Sequence, residues 1–180
     1  MKDAARGGAL AINALLFQGG WFLCVLGGSL WAIAATPLIL LVHWRWLARP
    51  GEWRWWLGLL LAGIVVDGTL VAAGGIEMGG ALPIWLWALW PLFATTLHHC
   101  LAWLWRYRAL AIACGALGGP LSYFSGAALA GVEIRPWAIG VEAIVWASLC
   151  GGVAQHLGGR RASGHRRPAI ESSRDEADQE

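Results

Sequence analysis

Charge is scarce in this chain: of 180 residues only 13% are Asp, Glu, Lys or Arg, against 58% hydrophobic ones. One water-soluble core of this size cannot hide that much apolar surface, so a soluble globular class is excluded and lipid is the expected solvent. Alternation of apolar and polar residues over ten-residue segments is missing too, which excludes a transmembrane barrel. The four cysteines include no C-x-x-C pair, so neither a disulfide framework nor a zinc ribbon is expected. Cys24, Cys100, Cys114 and Cys150 all fall inside apolar runs and read as small buried hydrophobes. There is no H-E-x-x-H motif and no histidine pair at i, i+4. The basic residues are dispersed among loops, so the net charge of +2 does not point to nucleic acid.

What is present is a series of long apolar runs. A hydrocarbon layer of about 30 Å takes about 20 apolar residues per helix, and six such runs lie at roughly 9–27, 30–47, 56–76, 82–105, 109–131 and 137–157. The expected fold is all-α, a polytopic bundle of six transmembrane helices over residues 1–157. The first run, behind Lys2 and Arg6, is longer than a signal-peptide core and reads as an uncleaved span. Residues 158–180 turn polar and lose apolar periodicity, which predicts a disordered tail.

Positive residues in short loops are retained in the cytoplasm. With six spans, Lys2, Arg6, Arg45, Arg49, Arg54, Arg106, Arg108 and the five arginines from Arg160 to Arg174 all share one side. Only Arg135, beside Glu133, falls opposite. Both termini are therefore expected in the cytoplasm and the chain in a bacterial inner membrane. Tryptophans cluster near span ends, as an interfacial aromatic belt does. The small residues of GALGG (115–119) have the spacing that lets helix backbones approach. Pro120 removes a backbone donor inside the fifth run and is expected to free the carbonyl of Ala116, interrupting the helix there.

Polar residues inside apolar spans are costly and are candidates for function. Asp67 lies near the middle of the third run; Glu142 lies nearer the outer end of the sixth and is expected to reach water. In the fourth run, Ala88, Thr95, His99 and Ala102 make one helical stripe, which turns His99 toward the bundle. Its neighbour His98, about 100° away, is read as incidental. Asn13, Gln18, Ser122 and Tyr123 are candidates to line one polar pocket with Asp67 and His99. His43 and His156 lie at a depth compatible with His99, but the spacing carries no metal signature, so neither metal nor haem is expected and no cofactor is assigned.

The stretches NALLFQGGWFLCVLGG, a lone Asp67 in the third run, PIWLWALWPLFATTLHHCLAWL and GGPLSYFSGAALAG together resemble an uncharacterised bacterial inner-membrane family, domain of unknown function 2878. The resemblance covers about residues 10 to 157. It places emphasis on Asn13, Gln18, Trp21, Asp67, His99, Pro120, Ser122 and Tyr123, while Cys100 stands where the family pattern has serine and His98 at a variable position. It implies no established activity, only an association with the modification of membrane fatty acids. The resulting expectation is an auxiliary or structural role in envelope lipid physiology, with membrane lipids and lipid-modifying enzymes of the envelope as partners. The alternatives are a membrane-embedded lipid- or isoprenoid-modifying enzyme using Asp67 and His99 as acid and base, and a small proton-coupled carrier.

Overall fold

The computed structural model describes residues 2–80 and 82–164, with the side chains of 7–80 and 82–159. Five α-helices account for most of it: α1 (Lys2–Trp46), α2 (Trp53–Ala72), α3 (Ile84–Ala94), α4 (Arg108–Ala130) and α5 (Pro136–Gly164). Two-residue strands, β1 (Ile76–Glu77) and β2 (Glu133–Ile134), pair antiparallel at one end. Four helices, α1, α2, α4 and α5, are long and apolar enough to cross a membrane.

The six expected runs and these helices differ at two places. The first two runs are two helices that abut within α1 with no loop between them, a 45-residue stretch that would extend roughly 68 Å if straight. It is not straight. Gly28, at φ 66° and ψ −162°, breaks it in a conformation essentially restricted to glycine. Asn13 and His43, which a straight helix would hold roughly 45 Å apart, lie in contact at 3.4 Å. Cys24 and Thr36 meet at 3.7 Å. The two arms of α1 therefore run back along each other.

The fourth run is helical only over Ile84–Ala94, 11 residues. From Thr95 to Trp103 the chain continues in successive turns, with bonds such as Thr96 N–H to the Phe93 carbonyl (2.9 Å) and His99 N–H to the Thr96 carbonyl (3.1 Å), ending in a 3-10 turn at Leu104–Arg106. The hydroxyls of Thr95 and Thr96 accompany the departure, bonding back to the carbonyls of Leu92 and Phe93. The tighter winding invalidates an α-helical stripe through His99.

α4, by contrast, runs unbroken through Pro120, so the expected interruption does not occur. The proline lies buried, and the helix packs along its length on α5. In GALGG it is Gly115 and Gly119 that face α5, where any Cβ would strike the Trp146 carbonyl or the Trp146 side chain. α5 also continues past Leu157 to Gly164, so the start of the expected tail is helical; residues 165–180 lie outside the described residues.

The bundle has two chemically distinct ends. At the β1–β2 end lies the Gly28 turn, with Ser29 donating to the Leu82 carbonyl. There Arg135 is bound by Glu77 (2.5 Å) and Glu133 (3.2 Å), so that end carries its cation neutralised. The other end holds the α1–α2 connection with Arg49, and the 3-10 turn with Arg106.

Candidate functional site

The α1–α2 connection reads Arg49-Pro50-Gly51-Glu52. Proline presets the second turn position and Gly51, at φ 82°, supplies the positive φ that a type II turn requires at the third. The Glu52 N–H closes the turn on the Arg49 carbonyl at 3.1 Å. In return the Glu52 carboxylate accepts the Arg49 N–H at 2.7 Å, so its side chain folds inward rather than into solvent. Glu52 is 2% exposed.

Three imidazoles surround that carboxylate. Nε2 of His99 stands 3.1 Å from Oε1 and 3.2 Å from Oε2; Nε2 of His43 is 3.4 Å and Nδ1 of His98 3.8 Å from Oε1. The His43 and His99 rings meet edge to face at 4.8 Å. Burial by itself pushes the Glu52 carboxyl up, but the facing imidazoles of His43 and His99 and the Arg49 N–H outweigh it and hold the group down at about 2. Glu52 is thus an anion at the amino end of α2, where the helix dipole also favours negative charge.

Asn13 explains how a non-helical turn is held so firmly. Fully buried on α1, its amide donates to the Thr95 carbonyl (3.1 Å) and accepts the Cys100 N–H (3.2 Å), bracketing the turn that carries both histidines. Its nitrogen also faces Nδ1 of His43 at 3.4 Å. His98 is therefore part of this cluster, and its reading as incidental is corrected. The reason is Glu52, whose inward-folded carboxylate lies within reach of both rings, 3.8 Å from Nδ1 of His98 and 3.1 Å from Nε2 of His99.

Asp67 belongs to a second cluster. Fully buried on α2, its carboxylate accepts Trp90 Nε1–H of α3 at 2.8 Å and the Tyr123 hydroxyl of α4 at 2.7 Å. Glu142 of α5, expected to reach water, is instead 1% exposed and within electrostatic reach of Asp67 and Tyr123. Neither carboxylate oxygen of Glu142 has a hydrogen bond of good geometry among the described residues, and the Trp146 indole N–H beside it is likewise unmatched.

The expected acid–base pair of Asp67 and His99 is not formed. Asp67 lies 15 residues along the chain from Glu52, all of them on α2, which places it roughly 20 Å from the histidines. Of the other expected pocket residues, Asn13 sits with the histidines. Trp21, Ser122 and Tyr123 come together near the second cluster, Trp21 Nε1 donating to the Ser122 hydroxyl at 2.9 Å. Gln18 is exposed on the same side.

These last residues line a lateral groove of about 620 Å³ with α1 and α4 as walls and α3 and α5 as floor. Phe17, Phe22, Phe93 and Trp146 are among its aromatic lining, and Gly118 of α4 leaves it open. A smaller cavity of about 220 Å³, lined by Arg49, His98, Trp105 and Arg106, adjoins the histidine cluster.

Glu52 and His43 are the functional candidates that sequence reasoning missed or set aside. A Pro-Gly turn followed directly by a glutamate beside a tryptophan-rich span was the available signal. His43, Glu52 and His99 present donor atoms all within 4.8 Å of one another, the only group of this kind among the described residues.

Comparison with known proteins returns one family. The model for the family described as "Protein of unknown function (DUF2878)" matches residues 10–152, and the chain belongs to that family. No curated protein and no solved structure matches it.

Proposed function

We propose that this DUF2878 protein crosses a bacterial inner membrane six times, with both termini cytoplasmic, and serves envelope lipid physiology by holding a lipid chain in the groove between α1 and α4. The observation that carries the reading is that groove: about 620 Å³, aromatic and aliphatic in its walls, open sideways. In a bilayer an apolar opening of that kind faces acyl chains rather than water, and its volume lies in the range of small-molecule sites. The Trp21–Ser122 pair and the Tyr123 side chain supply polar contacts at one wall.

Six crossings follow from counting the two arms of α1 separately and extending α3 through the turns and 3-10 segment to Arg106, 23 residues from Ile84. The end with Arg49 and Arg106 then faces the cytoplasm, and the end where Arg135 is neutralised by two glutamates faces outward. Reporters fused at the two termini test this; opposite sides would refute it.

The groove is tested by extracting lipids from protein purified in mild detergent. About one acyl or isoprenoid lipid per chain is expected to co-purify, as a cavity of this size takes one chain. A Cβ at Gly118 meets nothing within 4 Å, so Gly118→Trp fills the groove while leaving the packing intact. Unchanged lipid retention in that variant, with an unchanged melting profile, would sink the reading.

A second reading is a lipid-modifying membrane enzyme. The observation favouring it is the buried His43–Glu52–His99 cluster, opposite in character to anything a purely structural bundle needs. Its chemistry would sit at the cytoplasmic end, with Asp67 confined to a structural part.

A further inference from the structure

We infer that His43, Glu52 and His99 form a binding site for one divalent transition-metal ion, of the zinc or iron(II) class, at the arginine-bearing end of the bundle. The inference stands apart from the lipid groove and does not need it.

The distances fit first. An ion bound at 2.0–2.2 Å to imidazole nitrogen and carboxylate oxygen holds two ligand atoms about 3.4 Å apart at a tetrahedral angle. Oε1 of Glu52 stands 3.4 Å from Nε2 of His43 and 3.1 Å from Nε2 of His99, so two of three ligand edges already have the required length. The third lies within the 4.8 Å that encloses all three donor atoms, and a shift of about 1 Å by one ring closes it.

Unmatched atoms point the same way. Nε2 of His43 and Oε1 of Glu52 are both buried and neither has a hydrogen bond of good geometry, although they face each other. Buried polar atoms are rarely left so, and an ion between them is one of the groups that satisfies both. Two imidazoles, one carboxylate and no thiolate is a donor set suited to zinc or iron(II) and poorly suited to calcium or magnesium, which take oxygen.

All three donor residues are buried, and the nearest cavity reaches the cluster only through His98. His98, with Nδ1 at 3.8 Å from Oε1 of Glu52, borders the 220 Å³ cavity shared with Arg49 and Arg106. Three protein ligands leave a fourth position of a tetrahedral ion to a water or to His98.

Asn13 sets a condition on loading. Its amide nitrogen is held toward Nδ1 of His43 by the bonds to Thr95 and Cys100, which leaves the His43 proton on Nε2 in the metal-free chain. Coordination moves that proton to Nδ1 and turns the Asn13 amide so that its oxygen receives it, the outer contact that orients most histidine ligands. The Asn13 bonds to Thr95 and Cys100 and the His99–Glu52 bond are given up for three ligand bonds. His99 shifts its ring proton from Nε2 to Nδ1 in the same way.

The test uses full-length protein in detergent, stripped with chelator and dialysed against Zn²⁺ or Fe²⁺, with bound metal measured by elemental mass spectrometry. About one ion per chain is expected, with affinity falling at least about tenfold in His43→Gln, Glu52→Gln and His99→Gln. His156→Gln, outside the cluster, is expected to leave binding unchanged. X-ray absorption of the loaded wild type, which does not depend on any variant folding, is expected to read two imidazoles and a light oxygen shell. Wild-type binding below about 0.1 ion per chain, no change in His99→Gln, or an absorption spectrum without imidazole would each overturn the inference.

Discussion

Asp67 permits a quantitative test of how this bundle is tied together. Its carboxylate accepts one donor from α3 and one from α4, so three helices meet at a single fully buried side chain. Interhelical hydrogen bonds in membrane proteins average about 0.6 kcal/mol and reach about 1.7. Here both bonds are short, at 2.7 and 2.8 Å, and water is excluded from all three partners, since Tyr123 and Trp90 are buried too. Removing the acceptor with Asp67→Leu leaves a hydroxyl and an indole N–H unmatched, at about 1–3 kcal/mol each, for a total loss of about 2–6 kcal/mol. Tyr123→Phe removes one donor while Trp90 still serves Asp67, and is expected to cost about 1–2 kcal/mol. In Asp67→Leu the tyrosine hydroxyl has no acceptor left, so adding Tyr123→Phe should restore stability rather than lower it further. A double-mutant cycle by reversible unfolding in mixed detergent measures the coupling, expected at about 1.5–3 kcal/mol. A coupling below about 0.3 kcal/mol would refute the reasoning, because the Asp67–Tyr123 bond could not then be holding α2 to α4.

Close helix packing makes a second test: a Cβ at Gly63 strikes the ring of buried Trp90, whereas one at Gly58 meets nothing. Gly63→Ala should destabilise by about 1–3 kcal/mol and Gly58→Ala should be neutral or stabilising by up to about 1 kcal/mol, read from melting curves in detergent. Gly28→Ala, at φ 66° with open space around it, should cost about 1–3 kcal/mol through backbone strain alone; an unchanged stability would mean that the arms of α1 are not reversed there. In chelator-treated protein, Glu52 contributes stability that is present above its ordinary value of 4.5 and is lost as the pH falls toward about 2. Melting temperature should therefore drop between about pH 5 and pH 3 in the wild type and stay flatter in Glu52→Gln.

The amino-acid sequence by itself determined the solvent and the class of fold: scarce charge, long apolar runs and continuous rather than alternating hydrophobicity leave only helices compatible with lipid. It also determined which charges share an end, because a hairpin at Gly28 and a connection at Pro50-Gly51 are local events written in local residues. The polar clusters were decided elsewhere. His43, Glu52 and His99 come from three separate segments, and helical periodicity misplaces His98 because the Thr95 and Thr96 hydroxyls and the Asn13 amide wind that segment into turns. Asp67 was visible as a residue that must find partners, but which ones depended on α3 and α4 crossing α2 at its depth, roughly 20 Å from the histidines. Periodicity reports which way a side chain faces along its own helix; only the packed bundle decides what stands opposite.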